Sequence, residues 1–81
     1  MDLTKQEQMV LERFHEKALI AGGPRPGYML RERAIAVRYP GEDLGATLAS
    51  LVEKDLLKTN EAGGLYYLTA AGNDLLSSWG A

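Results

Sequence analysis

The sequence predicts a mainly α-helical domain of the α+β class, in which three helices are followed by a small β-hairpin and a fourth helix. Apolar residues recur at helical spacing in the first segment and again after residue 43. Two short apolar runs, at residues 56–59 and 65–68, flank a glycine-containing loop, which is typical of a β-hairpin. The chain has 81 residues, which is the length of a single domain.

The first helix is predicted over about residues 4–20. Thr4-Lys5-Gln6-Glu7 has the spacing of a capping box, in which Thr4 accepts from the Glu7 N–H and Glu7 reaches back to the Thr4 N–H. The apolar positions that follow at helical spacing are Val10, Leu11, Phe14 and Ala18. Charged residues occupy the other side, so we expect an amphipathic helix.

The middle of the chain is predicted to hold a loop and a second helix. Residues 21–27 contain three glycines and two prolines, which favour neither helix nor strand. The second helix is predicted over about residues 28–38, with an apolar stripe of Leu30, Ala34 and Val37. Arg31 and Arg38, seven residues apart, would share another face of this helix. A proline and a glycine at 40 and 41 would end it.

The third helix is predicted over about residues 42–54. Glu42 and Asp43 fall in its predicted first turn, where negative charge suits the helix dipole. Its apolar stripe consists of Leu44, Leu48, Leu51 and Val52. The predicted exposed face consists of Glu42, Asp43, Gly45, Ala46, Thr47, Ala49, Ser50 and Glu53.

The hairpin is predicted over about residues 56–68 and the fourth helix over about residues 69–79. Strand alternation places Tyr66 and Leu68 on one face of the second strand and Tyr67 on the other. Thr69 is positioned to cap the fourth helix. The apolar residues of that helix are Leu75, Leu76 and Trp79.

The composition excludes several kinds of functional site. The chain contains no cysteine, which excludes disulfides, thiolate zinc sites and cysteine nucleophiles. His15 is the single histidine and leaves no convincing zinc set, and residues 22–27 lack the Gly-Lys-Ser/Thr ending of a phosphate loop. We therefore expect neither an enzyme nor a cofactor. No apolar run approaches the ~18 residues of a membrane span, so the expected location is the cytoplasm.

Charge is distributed unevenly along the chain. The net charge is −2, so no overall field attracts the protein to nucleic acid. Residues 21–40 nevertheless carry four arginines against Glu32 alone, a local charge of +3. A basic middle is therefore flanked by acidic ends.

Three stretches of the sequence resemble the winged helix-turn-helix superfamily of DNA-binding domains, in particular small prokaryotic transcriptional regulators. The first helix starts with Leu-Thr-x-x-Glu-x-x-Val-Leu at residues 3–11. A leucine-rich helix runs into the first hairpin strand at residues 48–57, and Tyr-x-Leu-Thr-x-x-Gly closes the hairpin at residues 66–72. The resemblance covers essentially the whole chain and implies that the hairpin is a wing.

The resemblance implies that double-stranded DNA is the partner. In such folds the third helix enters the major groove and the wing contacts the adjacent backbone or minor groove. Thr47 and Ser50 would then hydrogen-bond to bases or phosphates, and Ala46 would contact a thymine methyl group. Basic side chains would contact phosphates. The candidate DNA-binding residues are Arg25, Arg31, Arg38, Ala46, Thr47, Ser50, Lys54 and Lys58.

A protein-interaction module without DNA binding is the alternative prediction. The predicted exposed face of the third helix has no Arg, Lys, Asn or Gln, and the wing tip contains Glu61 and two glycines. DNA binding requires Arg31, Arg38, Lys54 and Lys58 to converge on one surface. A protein-interaction module would instead show an exposed apolar patch.

The fourth helix is a candidate contact for a homodimer or another partner. Symmetric pairing would double the few DNA contacts that one winged helix offers. The candidate residues are Leu75, Leu76 and Trp79, for which packing onto the first helix is the alternative.

Overall fold

The computed structural model describes residues 3–23, 25–39, 41–60 and 64–79. Within these ranges the chain forms a small α+β domain with four helices and a three-stranded antiparallel sheet. This confirms the predicted α+β class, but a third strand, β1, joins the predicted hairpin. The elements in chain order are α1 (Lys5–Ile20), β1 (Met29–Arg31), α2 (Glu32–Ala36), α3 (Leu44–Glu53), β2 (Leu57–Thr59), β3 (Leu65–Leu68) and α4 (Ala70–Ser77).

Both predicted N-terminal caps are confirmed. The Thr4 Oγ1 accepts from the Glu7 N–H at 3.1 Å, and the Thr4 N–H donates to the Glu7 carboxylate at 2.8 Å, which completes the capping box of α1. Thr69 caps α4 by accepting from the Gly72 N–H at 2.9 Å. Each cap satisfies backbone donors that a helix start leaves without an intrahelical partner.

The predicted second helix is wrong in its first half. Residues 29–31 form β1, which pairs with β3, and α2 begins only at Glu32. Leu30 is buried because it lies on the core face of the sheet, whereas Val37, predicted to be on the apolar stripe, is 74% exposed. Arg31 therefore lies on a strand and Arg38 lies beyond the end of α2, so the two arginines share no helix face.

The sheet has the strand order β1-β3-β2, which makes β1 and β2 its edge strands. Met29 pairs with Tyr67, and Lys58 pairs with Tyr67 from the other side. Directly opposed residues point to the same face of a sheet, and neighbours along a strand point to opposite faces. One face therefore packs on the core. The other, which we call the open face, presents Met29, Arg31, Lys58, Leu65 and Tyr67.

The core lies between α1, α3 and the inner face of the sheet. Its buried apolar side chains are Val10, Leu11, Phe14, Leu30, Ile35, Tyr39, Leu48, Leu51, Leu56, Leu57, Leu68 and Leu76. Phe14 is the largest of the side chains that are almost completely buried. The predicted apolar stripes of the first and third helices supply much of this core.

Two features fix the C-terminal end of α3 and the position of α4. Asp55 follows α3 with a left-handed φ of 62°, and the Asp55 and Leu56 N–H groups return to carbonyls of the last turn, which is a Schellman arrangement. Gly72 in α4 approaches the backbone so closely that an added Cβ would lie 2.2 Å from the Leu56 carbonyl oxygen. The glycine at this position therefore allows α4 to dock against the chain that joins α3 to β2.

Candidate binding surface

Thr47 is buried rather than exposed, contrary to its predicted place on the outer face of the third helix. Its hydroxyl lies 3.0 Å from the hydroxyl of Tyr39, which donates to Asp43 Oδ1 at 2.6 Å. Burial, followed by the hydrogen bond to the Asp43 carboxylate, raises the pKa of the Tyr39 phenol. Thr47 thus joins the segment before α3 to the helix and does not face outward.

Ser50 and Lys54, two further candidate DNA contacts, both hydrogen-bond to the buried carboxylate of Glu7. The Ser50 hydroxyl donates to Oε2 at 2.5 Å and the Lys54 ammonium donates to Oε1 at 2.6 Å. Burial raises the pKa of Glu7, but the bonds from Lys54, Ser50 and the Thr4 N–H outweigh it and lower that pKa to about 2. This cluster connects α1 to α3.

The outward face of α3 therefore carries few groups that can recognise a base. Its exposed residues are Gly45, Ala46, Ala49 and Glu53. Ala46 is exposed as predicted. Glu42 and Asp43 are exposed but precede the helix, which begins at Leu44, so the prediction that they form its first turn is wrong. The face that would enter a major groove therefore carries three small, uncharged residues and one acidic residue.

The predicted basic residues fall on several parts of the surface. Arg25 lies 5.7 Å from the Tyr28 ring centroid and donates to the Ala21 carbonyl at 3.4 Å. Arg38 is exposed beyond α2, and Lys54 lies beside α1. The sheet register brings only Arg31 and Lys58 to one face, the open face of the sheet. Lys54 belongs instead to the Glu7 cluster between α1 and α3.

A groove of about 620 Å³ runs beside β1, from the end of α1 to the end of α2. Its apolar lining includes Met29, which is 48% exposed, and Val37. Among the described residues it has three basic side chains and no acidic one. We call it the β1 groove; its lining residues are Lys17, Tyr28, Met29, Leu30, Arg31, Arg33, Ala34 and Val37.

Two more large apolar side chains are exposed outside the lining of the β1 groove. Leu19 is 49% exposed and Ile20 is 79% exposed, and both lie in the last turn of α1, just after Lys17. With Met29 and Val37 they are the large apolar side chains that the described structure leaves most exposed. Exposed apolar groups in combination with positive charge are typical of a binding surface.

The predicted partner contacts on α4 face largely inward. Leu76 is completely buried in the core, so the prediction that it contacts a partner is wrong. Leu75 and Trp79 are half-buried against the core, and the Trp79 ring meets His15 edge-on with centroids 6.0 Å apart. Trp79 thus packs onto α1, which was the alternative left open by the sequence.

The described residues contain no group of three or more His, Cys, Asp or Glu side chains that could hold a metal ion. In the same ranges, no helix is long and apolar enough to cross a membrane. The predicted wing tip at residues 61–63 lies outside the described residues.

Two parts of the site were missed by sequence reasoning. Glu7 shares the helical spacing of Val10, Leu11 and Phe14, and this pattern could have placed it on the buried face of α1. The β1 groove had no comparable signal, because it depends on the pairing of β1 with a strand more than thirty residues later in the chain.

A comparison of the chain with protein-family models, curated proteins and solved structures found no match. The resemblance to winged helices therefore stays a prediction from the sequence motifs.

Proposed function

We propose that this chain is a winged-helix protein-interaction module that binds a partner through the β1 groove. One contrast carries the proposal. Ser50 of α3 and Lys54, the residue that follows α3, bind Glu7 through their side chains, and Thr47 of α3 binds Tyr39. The exposed apolar side chains of Met29 and Val37 instead lie with basic residues around β1.

The order of the elements supports the winged-helix part of this proposal. Two successive helices, α2 and α3, are followed directly by the β2–β3 hairpin, as a helix-turn-helix with a wing requires. The hairpin is extended by β1 into a sheet whose inner face packs on the core. This packing leaves the β1 edge on the surface.

The chemistry of the β1 groove suits another protein. Protein interfaces are enriched in aromatic residues, Met and Arg. The β1 groove brings these residue types together in Tyr28, Met29, Arg31 and Arg33. Binding rather than catalysis is the proposed role.

Site-specific photo-crosslinking tests the proposal. A photoreactive p-benzoylphenylalanine replaces Val37, whose side chain is 74% exposed, and the protein is irradiated in an extract of its source cells after nuclease treatment. A control carries the same group at Ala46, on the exposed face of α3. We expect a discrete, nuclease-resistant polypeptide adduct from position 37 and none from position 46. Adducts from position 46 alone, or from neither position, would reject the proposal.

DNA binding is a second candidate function, favoured by one observation. Arg31 and Lys58 share the open face, and no carboxylate among the described residues forms a salt bridge with either of them. Such side chains can contact phosphates without reading sequence. An amide-resolved NMR titration with a random-sequence DNA duplex at low and moderate salt tests it. Shifts at Arg31, Lys58 and Ala46 that weaken steeply with salt would support DNA binding, and unchanged spectra at low salt would exclude it.

A further inference from the structure

We propose that the outer edge of β1 binds an extended acidic peptide segment of a partner protein, which adds to the sheet as a fourth strand. The inference rests on the proposed function, because it specifies the kind of partner segment that the β1 groove accepts. Three features carry it: the free backbone edge of β1, the charge of the groove and its apolar lining.

One edge of the β1 backbone is bonded to β3, and along the other edge no strand of the described residues is paired with it. Tyr28 accepts from the Leu68 N–H through its carbonyl, and the Glu32 N–H donates to the Gly64 carbonyl, both at 2.8 Å. Alternate residues of an antiparallel strand bond to the same neighbour. The backbone N–H groups of Met29 and Arg31 and the carbonyl of Met29 therefore point away from β3, towards an incoming strand.

The β1 groove lies along that free edge and selects for charge. Lys17, Arg31 and Arg33 line it, and no Asp or Glu of the described chain does. Among the charged side chains that line the groove, a carboxylate on the added strand would therefore meet only basic ones. By contrast, a second groove that includes the start of α4 contains both Asp55 and Lys58, so its ionic groups give no such preference.

The alternation of side chains along a strand determines the residue pattern that the peptide should have. Along a strand, successive side chains point to opposite faces. On one side the added strand meets the apolar Ala34 and Val37 of the groove, and on the other it continues the open face beside Met29 and Arg31. A segment that alternates apolar and acidic residues matches both the lining and the charge.

Charge also argues against a second copy of this chain as the occupant. Pairing two β1 edges would bring together two sets of Lys17, Arg31 and Arg33 in one interface. Like charges in close apposition oppose association. An acidic segment of another protein has no such repulsion to overcome.

The test is a fluorescence-anisotropy titration with a fluorescein-labelled, end-blocked nonapeptide of alternating valine and glutamate. We expect saturable binding by the full chain and none by an otherwise identical peptide of alternating valine and lysine. NMR shifts should centre on the amides of Met29 and Arg31, not on α3. Absence of binding, or shifts centred on α3, would overturn the proposal.

Two sets of variants distinguish backbone strand pairing from electrostatic attraction between the peptide and the groove. Met29→Pro removes the outward N–H while keeping the β1–β3 hydrogen bonds, a placement that edge strands tolerate. Loss of this one hydrogen bond in Met29→Pro should weaken binding of the valine–glutamate peptide about fivefold relative to Met29→Val. Met29→Val also replaces the methionine side chain but retains the N–H, so it is the reference for the proline variant and should bind more tightly than Met29→Pro. Equal affinity of the proline and valine variants would contradict strand addition.

The charge-reversed double variant Arg31→Glu, Arg33→Glu alters only exposed side chains and should prefer the valine–lysine peptide. An unchanged peptide preference would exclude the charge argument. Concentration-dependent dimerisation of the wild type through β1, detected by analytical ultracentrifugation, would overturn the choice of occupant. A position-37 polypeptide adduct without binding of the acidic peptide would reject this inference and leave the proposed function intact.

Discussion

Replacement of Glu7 by Gln should destabilise the domain at neutral pH but not at low pH. The pKa of Glu7 is lowered from 4.5 to about 2, so folding favours the charged carboxylate. Each unit of pKa shift corresponds to about 1.4 kcal/mol, which sets an upper limit of roughly 3 kcal/mol at pH 7. Lys54 is 31% exposed, so solvent screens its attraction to Glu7. We therefore expect a loss of about 1–2 kcal/mol for Glu7→Gln at pH 7.

The lowered pKa of Glu7 determines how the effect of Glu7→Gln on stability should change with pH. A carboxylate whose pKa is lowered in the folded state stabilises the fold above its unfolded value of 4.5. That contribution is lost as the pH falls from about 4.5 towards 2. The difference in unfolding free energy between the wild type and Glu7→Gln should therefore be largest near pH 7 and approach zero near pH 2.

Urea unfolding followed by far-UV circular dichroism, from pH 2.5 to 7, measures this difference. Glu12→Gln is the matched control, because Glu12 is exposed on the same helix and forms no salt bridge within the described structure. The control should differ little from the wild type at any pH. If the curves of Glu7→Gln and the wild type stay parallel over the whole range, the ionic bonds of Glu7 do not hold α1 against α3, and the reasoning fails.

Four further substitutions test the packing, the helix ends and the alkaline pH dependence of the fold. Gly72→Ala should destabilise the domain by about 2 kcal/mol or more, because the new Cβ would lie 2.2 Å from a backbone oxygen. At Gly45 an added Cβ would have no atom within 4 Å, so Gly45→Ala should stabilise α3 by about 0.5–1 kcal/mol. Thermal melts of the two variants measure both effects. Asp55→Gly should raise the melting temperature because φ at this position is 62°; a lower melting temperature would show that the aspartate side chain stabilises this turn. Tyr39→Phe should reduce the loss of stability above pH 10, because the raised pKa of the phenol favours its neutral form in the fold. Equal alkaline unfolding of Tyr39→Phe and the wild type would contradict the last prediction.

Local sequence signals predicted α1, α3, α4 and the hairpin. The capping box at Thr4 and the cap at Thr69 mark the starts of α1 and α4 correctly. The stripe of leucines predicts α3, and the two apolar runs predict the hairpin. In each case the signal lies within the element itself or within a few residues of its start.

The errors arose where distant contacts override local pattern. Leu30, Ala34 and Val37 are spaced as in a helix, yet β3 provides hydrogen-bond partners that make residues 29–31 a strand. The burial of Glu7 likewise depends on Ser50 and Lys54, which are 43 and 47 residues further along the chain. The pairing of β1 cannot be derived from the spacing of residues within one element, and for Glu7 that spacing indicates the buried face of α1 but not the two bonding partners.

Glu7 also explains why polar side chains of the third-helix segment that the sequence predicts to contact DNA are bonded within the protein instead. Considered without the rest of the fold, the hydroxyl and ammonium groups of a predicted third helix would be expected to face DNA. A buried carboxylate on α1 changes that expectation, because leaving it unpaired would cost several kcal/mol, so it takes hydrogen bonds from nearby donors. Ser50 and Lys54 supply them. The same interactions that join α1 to α3 therefore draw polar groups away from a DNA-facing role, which is why the exposed edge of β1 is the stronger candidate for binding.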